Sequence, residues 1–234
     1  MRAIIDPIKM LKLQAFVCTE ETRYYLHGVY VEPDPDGGVR MVATDGHCMG
    51  LFVDRDGRCD GSGIVRLEKP FVDAMTEAVD ALDRDPVLVV DGKPDGLSIA
   101  LLVERGCLLS TEDVIGTTLA TWLPVCLSAQ GDVLLDGDFP DYKRLMPSQP
   151  IEPSDFKPVL EARLLTRFTQ IGGEGRTGVR IHPACEEGPV FVEVCGAYEF
   201  LGAIMPMRWL PERPDGALIN HVLGARASEG AGDE

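Results

Sequence analysis

The stretch Thr22–Val53, "TRYYLHGVYVEPDPDGGVRMVATDGHCMGLFV", decides how this chain is read. Aromatic and β-branched runs flank Pro33-Asp34-Pro35-Asp36-Gly37-Gly38, so "YYLHGVYVE" and "VRMVATDG" are predicted to be strands joined by a tight turn. A second turn at Asp45-Gly46 leads into a third strand, "HCMGLFV". At that turn an acid, a glycine, an imidazole and a thiol stand in consecutive positions, Asp45-Gly46-His47-Cys48. Three readings compete: a nucleophilic site, a metal site and a tight turn. Neighbours in a strand point to opposite faces, so His47 does not readily activate the Cys48 thiol. The four histidines, at 27, 47, 182 and 221, are scattered and show no ligand spacing. No catalytic residue, metal site or cofactor is therefore expected. In a tight turn Asp45 bonds local backbone and Gly46 takes a positive φ. That reading explains Asp-Gly but leaves His47 without a role.

Bulk properties narrow the classes further. With 234 residues, 45% of them apolar, the chain can bury a sizeable core in one large domain or two ordinary ones. No apolar run approaches the ~20 residues of a membrane span, and "MRAIIDPIKMLKL" lacks the layout of a signal peptide. Seven scattered cysteines without a Cys-x-x-Cys pair fit reduced thiols, and a cytoplasmic location is expected. A net charge of −16 argues against a generally basic, nucleic-acid-coating surface. It leaves room for a small basic face, because charges act locally within a Debye length of ~8–10 Å.

The remaining elements follow from patterning. Asp6–Cys18 reads as a helix capped by Asp6-Pro7, with Lys9, Lys12 and Gln14 as its polar positions. "GIVRLE" reads as a strand. Lys69–Leu82 is the clearest helix, with Val72, Met75, Val79 and Leu82 on one face and Asp73, Glu77 and Asp80 on the other. "PVLVVDG" and "LSIALLVERGCLLS" read as strands around Lys93–Gly96. Thr111–Leu135 shows no firm periodicity, and Gly137–Pro147 reads as a connector. Phe156–Ile171 is a third helix, with Leu164, Leu165, Phe168 and Ile171 opposite Arg163, Arg167 and Gln170. "GVRIHP", "PVFVEV" and "YEFLGAIMPMRW" are three more strands. Helix-then-strands recurs three times, at about 60–80 residues, which predicts an α+β architecture with helices on one face of antiparallel sheet.

Four ordered segments, "TRYYLHGV", "VATDGH", "DGDFPDYKRLMP" and "MPMRW", together resemble the bacterial replicative sliding clamp family, the beta subunit of DNA polymerase III. The resemblance implies a DNA-clamp-like fold of repeated helix-plus-sheet modules. It also implies a non-enzymatic ring that holds duplex DNA without reading sequence. Short peptides of the polymerase and the clamp loader would dock in one hydrophobic pocket. By the same resemblance that pocket draws on Leu26, Thr44, Gly46, His47 and Met49, on Pro140 and Leu145, and on Ala203, Met205, Pro206 and Met207. Cys48 and Arg208 would stand at its rim, Cys48 where the family usually has arginine. Arg23, Tyr24 and Tyr25 would be DNA contacts. The helix polar faces add Lys9, Lys12, Arg163 and Arg167.

The expected organisation is a clamp-like domain over 1–147, a shortened domain over 148–209, and a C-terminal extension over 210–234, partly disordered. Set against the resembled family, the chain is expected to lack the first domain and the first half of the last one. A closed ring would then need more than two copies. The alternative is a clamp-like adaptor or decoy that binds replication proteins without encircling DNA, a view favoured by the acidic face at 69–82.

Overall fold

The computed structural model describes residues 1–81, 86–92, 98–104, 125–147, 151, 157–173, 175–183 and 188–207. The chain opens with a strand that sequence patterning missed, β1 (Arg2–Ile5), followed by helix α1 (Pro7–Leu13) and a 3-10 turn over Gln14–Phe16. The Asp6 carboxylate caps α1, accepting from the amides of Ile8 at 2.8 Å and Lys9 at 3.4 Å. The Thr22–Val53 region supplies β2 (Val29–Pro33), β3 (Val39–Thr44) and β4 (Cys48–Asp54). Then come the short β5 (Arg58–Cys59), β6 (Gly63–Val65), helix α2 (Lys69–Ala81), β7 (Pro86–Asp91), β8 (Ser98–Glu104), β9 (Val125–Gly131) and β10 (Leu134–Leu135). Helix α3 (Ala162–Arg167) precedes β11 (Val179–Pro183), β12 (Val190–Val194) and β13 (Phe200–Ile204).

Two expectations change. Tyr24 and Tyr25 lie in a 3-10 segment, Glu21–Leu26, rather than in a strand. The third helix begins at Ala162, not Phe156, and ends in a 3-10 turn over Phe168–Gln170. The last turn of the expected helix at 82, the connection at 93–97 and the extension at 210–234 lie outside the described residues.

The strands pair antiparallel into two sheets. Five strands run in the order β5-β1-β7-β8-β9, and eight in the order β10-β6-β2-β3-β4-β13-β12-β11. The expected α+β class is the one observed.

Strand alternation gives each face of the larger sheet its own apolar cluster. Val29, Val31, Val39, Met41, Ala43, Phe52, Val192 and Ile204 face the main core. There they meet Met10 and Leu13 of α1, Phe71 and Met75 of α2, and Leu164 and Phe168 from the α3 region. The five-stranded sheet adds Ile5, Leu88, Val90 and Leu102 to the same core. On the opposite face Val42, Met49, Leu51, Phe191 and Ala203 form a second cluster with Tyr142, flanked by Tyr30, Phe139, Met146 and Ile151.

The join between the early and late parts of the chain is the β4–β13 ladder, which pairs Phe200 with Phe52, Gly202 with Gly50 and Ile204 with Cys48. The expected domains 1–147 and 148–209 thus share one sheet and one core. At the centre of the ladder the paired glycines make room for two aromatic rings. A Cβ at Gly50 would stand 2.8 Å from the Phe16 ring, and one at Gly202 would overlap the Phe168 ring. The two rings meet edge to face with centroids 5.3 Å apart, and Phe200 packs beside both.

Gly202→Ala therefore forces Phe168 out of its place. It is expected to cost about 1–3 kcal/mol, by the overpacking rule for close-packed cores. Urea unfolding of the variant beside wild type measures the loss.

Candidate functional site

The Thr44–Cys48 segment is a tight turn closed by its own polar groups. The Asp45 carboxylate accepts from the amides of His47 and Cys48, both at 2.8 Å, and the Asp45 amide donates to the Cys48 carbonyl at 3.3 Å. The Thr44 hydroxyl donates to the Cys48 carbonyl at 2.9 Å and accepts from the Gly46 amide at 3.0 Å. Gly46 has φ +90°, where a side chain would be strained and would press on the Arg23 guanidinium.

Two arginines brace this turn from outside. Arg23 Nη1 donates to the Asp45 carbonyl at 3.0 Å, and Arg167 Nη2 lies 2.6 Å from Asp45 Oδ2. Burial alone would raise the Asp45 carboxyl. The Cys48 and His47 amides and the Arg167 charge outweigh it and hold the group below its ordinary value of 3.8.

The turn and the C-terminal Met-Pro-Met segment are neighbours. Thr44 pairs with Met49, and Met49 pairs with Ala203 across the β4–β13 ladder. One residue beyond β13, the Met205 amide donates to the His47 carbonyl at 2.9 Å, and the Met207 amide bonds the Val159 carbonyl at 2.8 Å. Met205 and Met207 are 38% and 47% exposed, unusual for such apolar side chains, while Pro206 is half-buried. Gly46 and His47 are exposed and Thr44 is half-buried.

The connector of Gly137–Pro147 lies on the same face of the sheet. Phe139 stacks on Tyr30 at 4.9 Å between centroids, 8° from parallel. The Tyr142 hydroxyl donates to buried Glu32, Lys143 Nζ donates to the same carboxylate at 2.8 Å, and Arg40 reaches the Tyr142 oxygen at 3.4 Å. Burial and the Glu32 bond push the Tyr142 phenol well above its ordinary range. Pro140 and Leu145 project from this anchored segment, with Leu145 40% exposed. Leu26 is buried, and its carbonyl accepts from the Cys18 amide at 3.1 Å. Arg208 lies outside the described residues. The sequence reading missed Phe139, Tyr142 and Met146 as the apolar floor under the connector. Their signal was the alternation of Tyr30, Glu32, Arg40 and Val42 onto one face.

Other sequence-based assignments need correction. Cys48 does not stand at a pocket rim: alternation turns its side chain into the main core, opposite Met49. Burial pushes its thiol up to about 12, so it is not a nucleophile at neutral pH. Lys9 is not a free cation. Its ammonium lies 2.7 Å from Glu199 and 3.3 Å from Asp54, and these carboxylates raise its pKa against the opposing effect of burial. Lys12 donates to the Ile171 carbonyl at 2.9 Å. Both lysines line an open cleft of about 520 Å³ between α1 and the Cys195–Glu199 turn. Arg163 pairs with Glu161 yet remains 89% exposed, and Tyr24 is exposed beside half-buried Tyr25.

The Asp45 bonds carry a pH signature. A carboxyl whose folded pKa is depressed stabilises fully above its unfolded value and loses that contribution as pH falls through the folded value. Asp45→Asn should cost about 1–3 kcal/mol at pH 7, the range for a lost charge-assisted bond. The gap from wild type should close as pH drops below about 4, as read by denaturant unfolding across a pH series.

No family model matches the chain. The beta sliding clamp of Caulobacter vibrioides (strain NA1000 / CB15N) is 26% identical over 200 residues, covering 82% of this chain and 46% of that protein. The chain thus spans just under half the length of this curated relative. Among solved structures, the DnaN sliding clamp of Bartonella birtlesii bound to griselimycin superposes with TM-score 0.59 at 16% identity, covering 89% of this chain and 66% of that one. The beta subunit of DNA polymerase III from Thermotoga maritima gives 0.57 at 14% identity, with 90% and 66% covered. The two-sheet architecture, the ordered motifs and these likenesses converge: the chain has the fold of bacterial beta sliding clamps and is similar to them in sequence.

Proposed function

We propose that this chain is a DNA sliding clamp, a processivity factor that tethers a replicative polymerase to duplex DNA. Polymerase and clamp-loader peptides would dock where the Thr44–Met49 bend meets the Ala203–Met207 segment. One observation carries this reading: the Met205 amide bonds the His47 carbonyl, so two stretches far apart in sequence form one apolar edge. Exposed thioethers suit such a surface, because methionine adapts its shape to varied apolar partners. Leu145 and Pro140 extend the edge along the anchored connector. No step of bond chemistry is assigned to any residue, and no metal or cofactor is required.

The DNA-facing set contracts from seven residues to Arg163, Tyr24 and Tyr25, with Lys12 at the cleft. Arg163 is the most open of the arginines in the set, and an exposed tyrosine can lie against a phosphodiester backbone. A few weak cationic contacts on an acidic body permit sliding, since tight phosphate binding would arrest it. A ring built from the described span would close from more than two copies through head-to-tail interfaces. Location in the cytoplasm follows from this role.

The adaptor reading has its own support. Helix α2 exposes Asp73, Glu77 and Asp80, and its Lys69 is paired to Asp73 at 2.7 Å. An acidic helix would repel a duplex threaded past it.

The readings separate by experiment. A short peptide bearing adjacent leucine and phenylalanine, and griselimycin as a second probe, should bind the wild-type chain. Met205→Ala combined with Met207→Ala should weaken both at least tenfold by isothermal calorimetry, with unchanged thermal unfolding. Unaltered affinity would remove the pocket. Light scattering should show an oligomer larger than a dimer, whereas a monomer at micromolar concentration selects the adaptor. Arg163→Glu should shorten retention on circular duplex DNA and lower the salt slope of binding by about one unit.

A further inference from the structure

We infer that Arg167 and Arg23 are positioning residues for the partner pocket: they grip Asp45 from both sides and set the His47 carbonyl that places Met205. This rests on the pocket reading above and assigns it two residues first read as DNA contacts, Arg23 from the family resemblance and Arg167 from its helix face.

The geometry runs in one direction. Met205 lies beyond the last paired residue of β13, and its amide is held by the His47 carbonyl, with the next hold on the segment at the Met207 amide. That carbonyl belongs to a turn whose Gly46 and His47 are exposed, so core packing does not hold it. Polar bonds do, and they converge on Asp45. Oδ1 accepts the His47 and Cys48 amides, Oδ2 meets Arg167, and the backbone carbonyl accepts from Arg23. Both oxygens of the carboxylate and the peptide oxygen are thereby occupied.

Arg167 is built for this place rather than for solvent. It ends α3, one turn beyond Arg163, but its side chain is only 27% exposed and Asp45 only 14%. Charge-assisted bonds in such partly dry surroundings are stronger than exposed pairs. Its Nη1 is buried and has no hydrogen-bond partner among the described residues, so Asp45 is the anchor of this guanidinium. Arg23 is tied back by Glu20 at 3.3 Å, which keeps its Nη1 on the turn. Phe168, next in sequence to Arg167, is locked under Gly202. Helix α3 therefore supports β13 through Phe168 and the turn facing it through Arg167. The two walls of the pocket share one foundation.

The test uses the full chain with carbon-13 methyl methionine, the Met205 signal being assigned by its loss in Met205→Ala. Arg167→Gln should shift the Met205 methyl in the unliganded protein and weaken the leucine–phenylalanine peptide about tenfold. Arg167→Lys should recover part of both effects. Arg23→Gln should act in the same direction and less strongly. An unmoved Met205 methyl in folded Arg167→Gln, with wild-type peptide affinity, overturns the inference. Should Arg167→Gln not fold, Asp45→Asn breaks the same contact from the other side, and the same two readouts decide. The pocket reading fails separately. If the double methionine variant binds the peptide normally, the pocket is wrong, while the methyl shift still reports whether Arg167 positions the turn.

Discussion

The paired glycines at the centre of the β4–β13 ladder are the constraint on which the rest depends. Two strands from distant parts of the chain can take aromatic rings directly over the middle of their ladder only if the residues there carry no side chain on the core face. Phe16 and Phe168 then close over the vacated space from α1 and from the end of α3. That arrangement fixes register, and register fixes faces. A slip of one residue would exchange Cys48 and Ile204 with Met49 and Ala203 and invert the sheet's two apolar surfaces. The Met205–His47 bond exists only in the register that Gly50 and Gly202 allow.

From this seam the two clusters acquire separate duties. The helix-covered face is a closed core that contains even the Cys48 thiol. The other face is finished by a connector, and a connector has little regular backbone bonding with which to hold itself. Buried Glu32 supplies the hold, with Tyr142 and Lys143 reaching it from the connector and Arg40 bridging to Asp34 at 2.5 Å. A buried carboxylate is costly unless its oxygens are satisfied, so once paired it specifies a single seating for the segment. The exposed leucine and proline of the connector are thereby held on the outer face of the larger sheet.

Much of this was legible in the residues, and the failures have physical causes. β2, β3 and β4 announce themselves through alternation and through turns rich in proline, aspartate and glycine. α2 is visible because its apolar side chains recur with helical spacing. β1 and β5 are too short for periodicity to register, and pairing with β7 and with each other defines them. Tyr24-Tyr25 carries strand propensity, but the Glu20–Arg23 and Tyr24–His27 backbone bonds curl it into a 3-10 segment. Lys9 looked solvent-facing on a helical wheel, because a wheel shows one helix and not the Asp54 and Glu199 brought beside it by other strands. The Asp45 partner of Arg167 was hidden for the same reason. The Asp45 turn was readable locally, down to its glycine, whereas its two bracing arginines come from elements that only the fold brings together.

The long reach of the β4–β13 pairing also has a consequence for biosynthesis. Contacts between residues so remote in sequence form late, since the chain must close a large loop before any of them is rewarded. On the ribosome the early hairpins emerge first, yet β4 keeps a bare edge until β13 arrives. A prematurely terminated product would retain most of its hydrophobic residues and lack the strand that shields them. The open edge of such a fragment would mark it for proteolysis.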